Sequence, residues 1–251
     1  MPALSARPLQ GLPEVRPGAD LARLICDAGA GAAPRDGQLL AIAHKVVSKA
    51  EGALVSLAGI EPGERALQLA GAQQRDPRAV QVVLDQSSEL LRAAHGVLIC
   101  RTHHGFVCAN AGVDASNSAD PDELVVLPRD PDASARRIRA RVRELSGASV
   151  GVLITDSFGR AWRHGQLDTA LGLAGMAPLD DWRGRRDSAG MLLTATWLAV
   201  ADGAAAAADL ARAKDSREPV IVIEGLERFL TVEDGPGALA LLRPLQEDLF
   251  R

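Results

Sequence analysis

The sequence predicts a mixed α+β fold, and three observations carry that expectation. Short apolar runs of strand character, such as Gly96–Thr102, Ser149–Thr155 and Pro219–Glu224, are interspersed with amphipathic stretches of helical period. The two kinds of segment do not alternate steadily, as they would in a doubly wound parallel sheet. The chain has 251 residues, 47% of them hydrophobic, and no linker-like stretch divides it. It can therefore bury a sizeable core as one large domain or as two entwined halves.

In chain order, Asp20–Ala30 reads as a short amphipathic helix with Leu21, Leu24, Ile25 and Ala28 on one face. Gln38–Val47 is predicted as a buried strand running into Ser48–Gly52, with Ala53–Leu57 as its hairpin partner. Two helices are expected over Gly63–Gln74 and Pro77–Ala93, the second opened by its proline. Gly96–Thr102 and Phe106–Ala109 read as strands joined through His103, His104 and Gly105. A polar loop over Asn110–Asp122 precedes a strand at Leu124–Leu127. Pro131–Ser146 is predicted as an Arg-rich helix with Asp132 as N-cap and Gly147 closing it. Ser149–Thr155 is a strand ending in Asp156 and Ser157, and a glycine-rich section comes next. Met191–Arg212 reads as a long Ala-rich helix, Pro219–Glu224 as a late strand, and a short helix ends the chain.

Composition excludes several function classes. Lys plus Arg is 28 against 32 for Asp plus Glu, a net charge of −4, whereas nucleic-acid and anionic-membrane binders carry a basic excess. The longest apolar stretch, Met191–Ala201, falls short of the roughly 20 residues of a bilayer span. The N-terminus shows no basic region followed by an apolar run, and the three cysteines (Cys26, Cys100, Cys108) are an odd set for disulfides. A reducing cytoplasm is the expected compartment.

Only three of the 28 basic residues are lysine: Lys45, Lys49 and Lys214. In a chain that uses arginine for generic positive charge, these mark positions suited to a compact ammonium, such as a phosphate pocket. No Walker-type loop and no dinucleotide fingerprint is present, so any nucleotide needs another cradle. Lys45 and Lys49 share a side if the strand stays regular, which suits a polyphosphate; a lysine-protected strand edge is the plainer reading. Asp114 and Asp156 each lie just past an apolar strand, with Asn117 and Ser157 as ancillary oxygens. Such oxygens suit magnesium or manganese, although Asx turns use the same residues. Lys214 either reaches phosphates from a loop or caps the preceding helix. Arg160, Arg163, Arg183, Arg185 and Arg186 surround Trp162 and Trp182, a grouping that fits an anionic, partly aromatic substrate as well as solvated loops. The Cys100, His103, His104, Cys108 spacing matches no common zinc module.

Taken together, His44–Gly52, Val107–Asn117, Leu153–Arg160, Asp181–Arg185 and Ala206–Leu210 resemble the coenzyme F-420-0:gamma-glutamyl ligase family, from about Leu12 to Leu226. The likeness is to its single-domain form, without a fused nitroreductase-like domain. The resemblance implies a mixed-sheet α+β fold of two intertwined subdomains in an entwined homodimer. It implies a GTP-dependent ligase joining L-glutamate to the lactyl carboxylate of a deazaflavin precursor, with two magnesium or manganese ions and potassium as an activating cation. By position, Asp114, Asp156 and Ser157 would be metal ligands, with Lys49, Asp114 and Asp156 central to catalysis. Leu12, Pro13, Glu14, Val15, His44, Lys45, Lys49 and Asn117 would contact GTP, and a loop including Arg212, Ala213, Lys214, Asp215 and Ser216 would cover its phosphates. Two rival readings stay open: a binder of GTP or deazaflavin without turnover, motivated by Ala213 where some relatives place a glutamate, and an amide ligase for another acid.

Overall fold

The computed structural model describes residues 3–28, 33–115, 121–213 and 215–248. In chain order the elements are β1 (Ser5–Pro8), α1 (Leu21–Asp27), β2 (Leu39–Ala43), α2 (His44–Glu51), β3 (Leu54–Ser56), α3 (Glu64–Gln73), α4 (Pro77–Asp85), β4 (Ser87–Ala94), β5 (Val97–Thr102), β6 (Val107–Ala109), β7 (Glu123–Val125), α5 (Pro131–Ser146), β8 (Gly151–Arg160), β9 (Arg163–Ala174), β10 (Leu179–Asp181), β11 (Trp197–Ala199), α6 (Val200–Ala211) and β12 (Val220–Glu224). The expected α+β class with mixed sheets is what the chain forms.

The main sheet has the order β1-β12-β2-β8-β9, with β2 and β8 parallel and the other neighbours antiparallel. Leu39–Ala43 of β2, Val152–Ile154 of β8 and Val220–Ile223 of β12 are apolar at every position because both faces are covered there. Leu40, Ile42, Val152 and Ile154 meet Leu21 and Ile25 of α1 and Ile138 and Val142 of α5 on one face. Leu39, Ala41, Leu153, Ile221 and Ile223 meet Ala201, Ala204, Ala205 and Ala208 of α6 on the other. An all-alanine contact face lets α6 lie close to the sheet. Gly172 does the same for α5: a Cβ there would stand 2.3 Å from the Pro131 carbonyl oxygen. A smaller region holds the β4-β5-β6 sheet with α3 and α4 around Ala66, Val80, Val83, Leu98 and Cys100, plus the β3–β7 pair. Among the described residues no helix is long and apolar enough to cross a membrane.

Several expected elements differ. The apolar run through residues 38–47 does not continue as strand; β2 stops at Ala43 and α2 begins. Val47 is buried in α2 with Val46 and Ala50 partly so, a helical spacing, and Gly52 ends the helix in the left-handed conformation with its N–H on the Ser48 and Lys49 carbonyls. Leu54–Ser56 pairs with β7 rather than folding back on β2. The second predicted helix ends at Asp85, because Ser87–Ala94 is drawn into pairing with β5 despite its helix-compatible sequence. The Ala-rich helix starts at Val200, since Trp197–Ala199 pairs with Leu179–Asp181. The section read as glycine-rich contains the 12-residue strand β9. The N-cap of α5 is Asp130, whose carboxylate accepts from Ala133 N. Asp132 is instead buried and accepts from the backbone N–H groups of Leu173 and Ala238, tying α5 to the sheet and to the C-terminal turns. Among the described residues, 3-10 turns at Ala238–Leu241 and Leu245–Glu247 stand in place of the predicted final helix.

Candidate active site

The parallel pair β2–β8 runs in register from Leu39↔Gly151 to Ala43↔Thr155, so both strands deliver their C-terminal residues to one end of the sheet. In open parallel α/β sheets ligands collect at the carboxyl ends of the strands, and this one parallel pair offers the same kind of end. At that end β2 passes directly into the first turn of α2, and β8 places Asp156 next after Thr155. No side chain caps the N-terminus of α2, so its leading N–H groups favour negative charge there.

α2 is the hub of the site. Lys45 and Lys49, one helical turn apart, share a face. The Lys45 ammonium lies 2.6 Å from Asp114 Oδ2, and Lys49 donates to Glu14 Oε1 at 2.6 Å. His44, only 2% exposed, places Nε2 3.4 Å from Asp156 Oδ1 and Nδ1 3.3 Å from Ser48 Oγ. One short helix thus gathers Glu14 from the Leu12–Val15 segment, Asp114 from the turn after β6, and Asp156 from β8. Within that segment Val15 is buried, Leu12 packs partly against the same core, and Pro13 and Glu14 are exposed. Asp114 is fixed by an isolated bridge in which its N–H and C=O both pair with Val125.

Beyond Ile154 the side chains of β8 alternate between the two faces of the sheet. Asp156 turns to the α2 side, whereas Thr155 and Ser157 turn to the α6 side. Both hydroxyls there donate to Asp168 of β9, at 2.8 Å from Thr155 and 2.6 Å from Ser157. Arg212, the residue that ends α6, reaches the same carboxylate at 2.6 Å. Its guanidinium is therefore committed within the protein rather than to the surface. Ala213 accepts from Ser216 Oγ, and Asp215 is exposed. Asn117 and Lys214 lie outside the described residues. Sequence reasoning misses Asp168; an acidic residue inside the strand-like run Leu167–Leu171 is the one signal that points to it.

The donor chemistry at Asp114 and Asp156 fits a hard divalent cation. Among the described residues no group of three or more His, Cys, Asp or Glu side chains gathers as a metal shell. Two carboxylates completed by substrate oxygens are a common way of holding magnesium. Desolvation, with the charge of Asp156 adding to it, pushes the nearby Cys108 thiol up to about 12. Cys108 stands opposite Cys100 across β5–β6, and both are buried. His103 and His104 contact different backbone carbonyls, of Asp85 and of Pro128. Four arginines of the tryptophan-rich section, Arg160, Arg183, Arg185 and Arg186, are engaged locally. Arg183 lies 4.0 Å over Trp197 and pairs with Asp181, whose carboxyl is held well below its ordinary range chiefly by that guanidinium. Arg185 lies 4.9 Å over Trp182, and Arg160 donates to the His164 carbonyl.

Comparison with known proteins places the chain in a family. A profile of the F420-0:gamma-glutamyl ligase family matches residues 11–225. Coenzyme F420:L-glutamate ligase of Methanopyrus kandleri is 45% identical over 253 residues, covering 100% of this chain and 99% of that protein. The protein of the same name from Methanothermobacter thermautotrophicus is 42% identical over 246 residues, 97% of each chain. The one from Methanocaldococcus jannaschii is 39% identical over 217 residues, 86% of this chain. With the match spanning the sheet, α2 and both aspartates, this chain belongs to the F420-0:gamma-glutamyl ligase family.

Proposed function

We propose that this chain is a GTP-dependent ligase that joins L-glutamate to the lactyl carboxylate of the deazaflavin precursor F420-0, releasing GDP and phosphate. The observation that supports it most is the convergence on α2 of two lysines and three carboxylates at the C-terminal end of β2 and β8. The family membership and the printed names of the relatives agree with that reading.

A carboxylate does not condense with an amine until one of its oxygens becomes a leaving group. In the proposed path the lactyl carboxylate oxygen attacks the γ-phosphorus of GTP, the bond to the GDP oxygen breaks, and an acyl phosphate forms. The glutamate amine, having lost a proton, attacks the acyl carbon, and phosphate departs. Two anions meet in the first step, so the work of the protein is to neutralise and align them. Lys45 and Lys49 would exchange their present carboxylate partners for phosphate oxygens. The uncapped N–H groups of α2 would bind the same anion. Asp114 and Asp156 would hold a magnesium or manganese ion, which supplies charge neutralisation when bound. Further γ-glutamyl additions, a second divalent ion and activation by potassium belong to the same proposal.

A homodimer is also proposed. Trp162 at the tip of the β8–β9 hairpin is 81% exposed, and Met191, Leu192, Trp197 and Leu198 expose a second apolar surface. Apolar area of this kind marks association surfaces. The three free cysteines fit a reducing cytoplasm.

The test is mass spectrometry of purified protein incubated with the deazaflavin precursor, GTP, manganese and L-glutamate. A GTP-dependent product heavier by glutamyl units is expected. Absence of product with GTP binding intact would overturn the ligase reading in favour of a nucleotide binder. Product with a different carboxylic acid alone would overturn the substrate assignment.

A further inference from the structure

We propose that Asp168 and Arg212 are positioning residues of the ligase site, cross-bracing the strand ends that carry its contacts; the proposal rests on the functional reading above. Asp168 is 1% exposed and accepts from Thr155 Oγ1, Ser157 Oγ and Arg212 Nη1. Arg212 also directs Nη2 at the carbonyls of Ala41 and Pro219, at 3.4 and 3.3 Å. This one guanidinium, with its carboxylate, therefore touches four adjacent strands or their ends: β12 at Pro219, β2 at Ala41, β8 at Thr155 and Ser157, and β9 at Asp168. All of these contacts fall at the sheet end where α2 and Asp156 emerge, on the face opposite His44.

The arrangement is costly for stability alone. Arg212 Nε is buried with no hydrogen-bond partner among the described residues. A buried ion pair is often matched or bettered in stability by apolar residues of similar volume. What apolar residues would lack is direction. The Arg212 fork fixes the end of β2 only three residues before His44, and the Asp168 carboxylate fixes Thr155 and Ser157 on either side of Asp156. The carboxylate on one face and the lysines on the other side of the β2–α2 junction are thereby held in register by a node that touches neither directly. Groups standing behind ligands in this way commonly govern metal affinity.

Arg212→Lys tests this, because lysine keeps a cation for Asp168 but gives up the planar fork that reaches the two carbonyls. Manganese–GTP affinity by calorimetry is expected to fall about tenfold or more, with KM for GTP rising more than kcat falls. Hydrogen exchange should quicken at Ala43–Lys45 and Thr155–Ser157 while the middle of β8 stays protected. Thr155→Val, which leaves the ion pair intact and removes one donor, should shift affinity in the same direction by a smaller factor and guards against a fold lost in the first variant. Wild-type affinity and exchange in both variants, with only the thermal midpoint lowered, would overturn the proposal. Should the wild-type protein itself give no manganese–GTP binding, the ligase reading falls. The exchange comparison then still decides whether Arg212 holds the strand ends: faster exchange supports the bracing, unchanged exchange overturns it.

Discussion

The β8–β9 hairpin has two halves of opposite character. In the inner half, Val152, Leu153 and Ile154 pair with Ala174, Leu173 and Gly172, all buried. In the outer half stand Thr155, Asp156, Ser157 and Asp168, then an exposed tip carrying Trp162. The border is a register shift between Ile154 and Thr155, where Leu171 is the extra residue on β9. Bulges re-aim the side chains beyond them and recur beside functional sites. The same two strands thus hold the core together on one side of the bulge and present chemistry on the other. In the proposed reading, stability and function are separated by one residue of register.

That separation can be broken from either end. Leu153→Ala removes a fully buried side chain wedged against α6, and should cost about 2–5 kcal/mol of unfolding free energy. Denaturant titration would measure it. The surviving folded fraction should ligate glutamate at the wild-type rate per active molecule; a specific rate that falls with stability would show the halves to be mechanically joined.

Asp156→Asn is the opposite probe. It deletes one charge at the outer half and leaves the inner packing untouched. The ligation rate should drop about a hundredfold or more, near 2.7 kcal/mol in barrier terms. The denaturant midpoint should stay close to wild type, because the carboxylate is partly exposed and asparagine keeps an oxygen for the Ser157 N–H and for His44. Retention of wild-type turnover in Asp114→Asn combined with Asp156→Asn, at saturating manganese, would remove both aspartates from the mechanism.

Trp162→Ser addresses the tip. If the exposed indole is buried in a homodimer, sedimentation should show the dimer dissociation constant raised roughly tenfold, an effect of about 1.4 kcal/mol. A monomer that stays a monomer at all concentrations, in the wild type as well, would leave the tip outside any self-association.

The inner half is easy to read in the sequence and the outer half only partly so. Val-Leu-Ile in β8 and the apolar β2 and β12 are recognisable as buried strands from composition alone. The pairing of Lys45 with Lys49 holds whichever element carries it: a separation of four is even in a strand and one turn in a helix, so the two side chains share a side in both. Asp114 and Asp156 are legible because each ends an apolar run, which is a local signal. Asp168 is not, because its meaning comes from Arg212, 44 residues away in sequence. For the same reason Ser87–Ala94 reads as helix: its strand state is imposed by β5, not by its own residues. Arg212, which the resemblance puts in a phosphate-covering loop, has its guanidinium on Asp168 and near the Ala41 carbonyl.

The smallest expected effect tests how sharp the border is. Asp202, in the first turn of α6, accepts from the N–H of Ala170, the residue paired with Thr155 just outside the bulge. Burial pushes its carboxyl above the ordinary value of 3.8, with the Ala170 N–H partly opposing the rise. A carboxyl raised in this way is protonated in both states at pH below 3.8 and costs nothing there. As pH climbs through the raised value, the folded state must carry a charge that the unfolded chain carries more easily, and stability falls to a plateau. Asp202→Asn keeps an oxygen for Ala170 and removes that charge. Relative to wild type it should therefore gain stability as pH rises from about 3 to about 7, by no more than about 1 kcal/mol, with the difference vanishing at the acid end. Thermal melts across that range would track it. A loss of stability near neutral pH would mean the charge is compensated by the N-terminal end of α6. Unchanged ligation in the same variant would place the functional border at Thr155, with Ala170 and Asp202 belonging to the core.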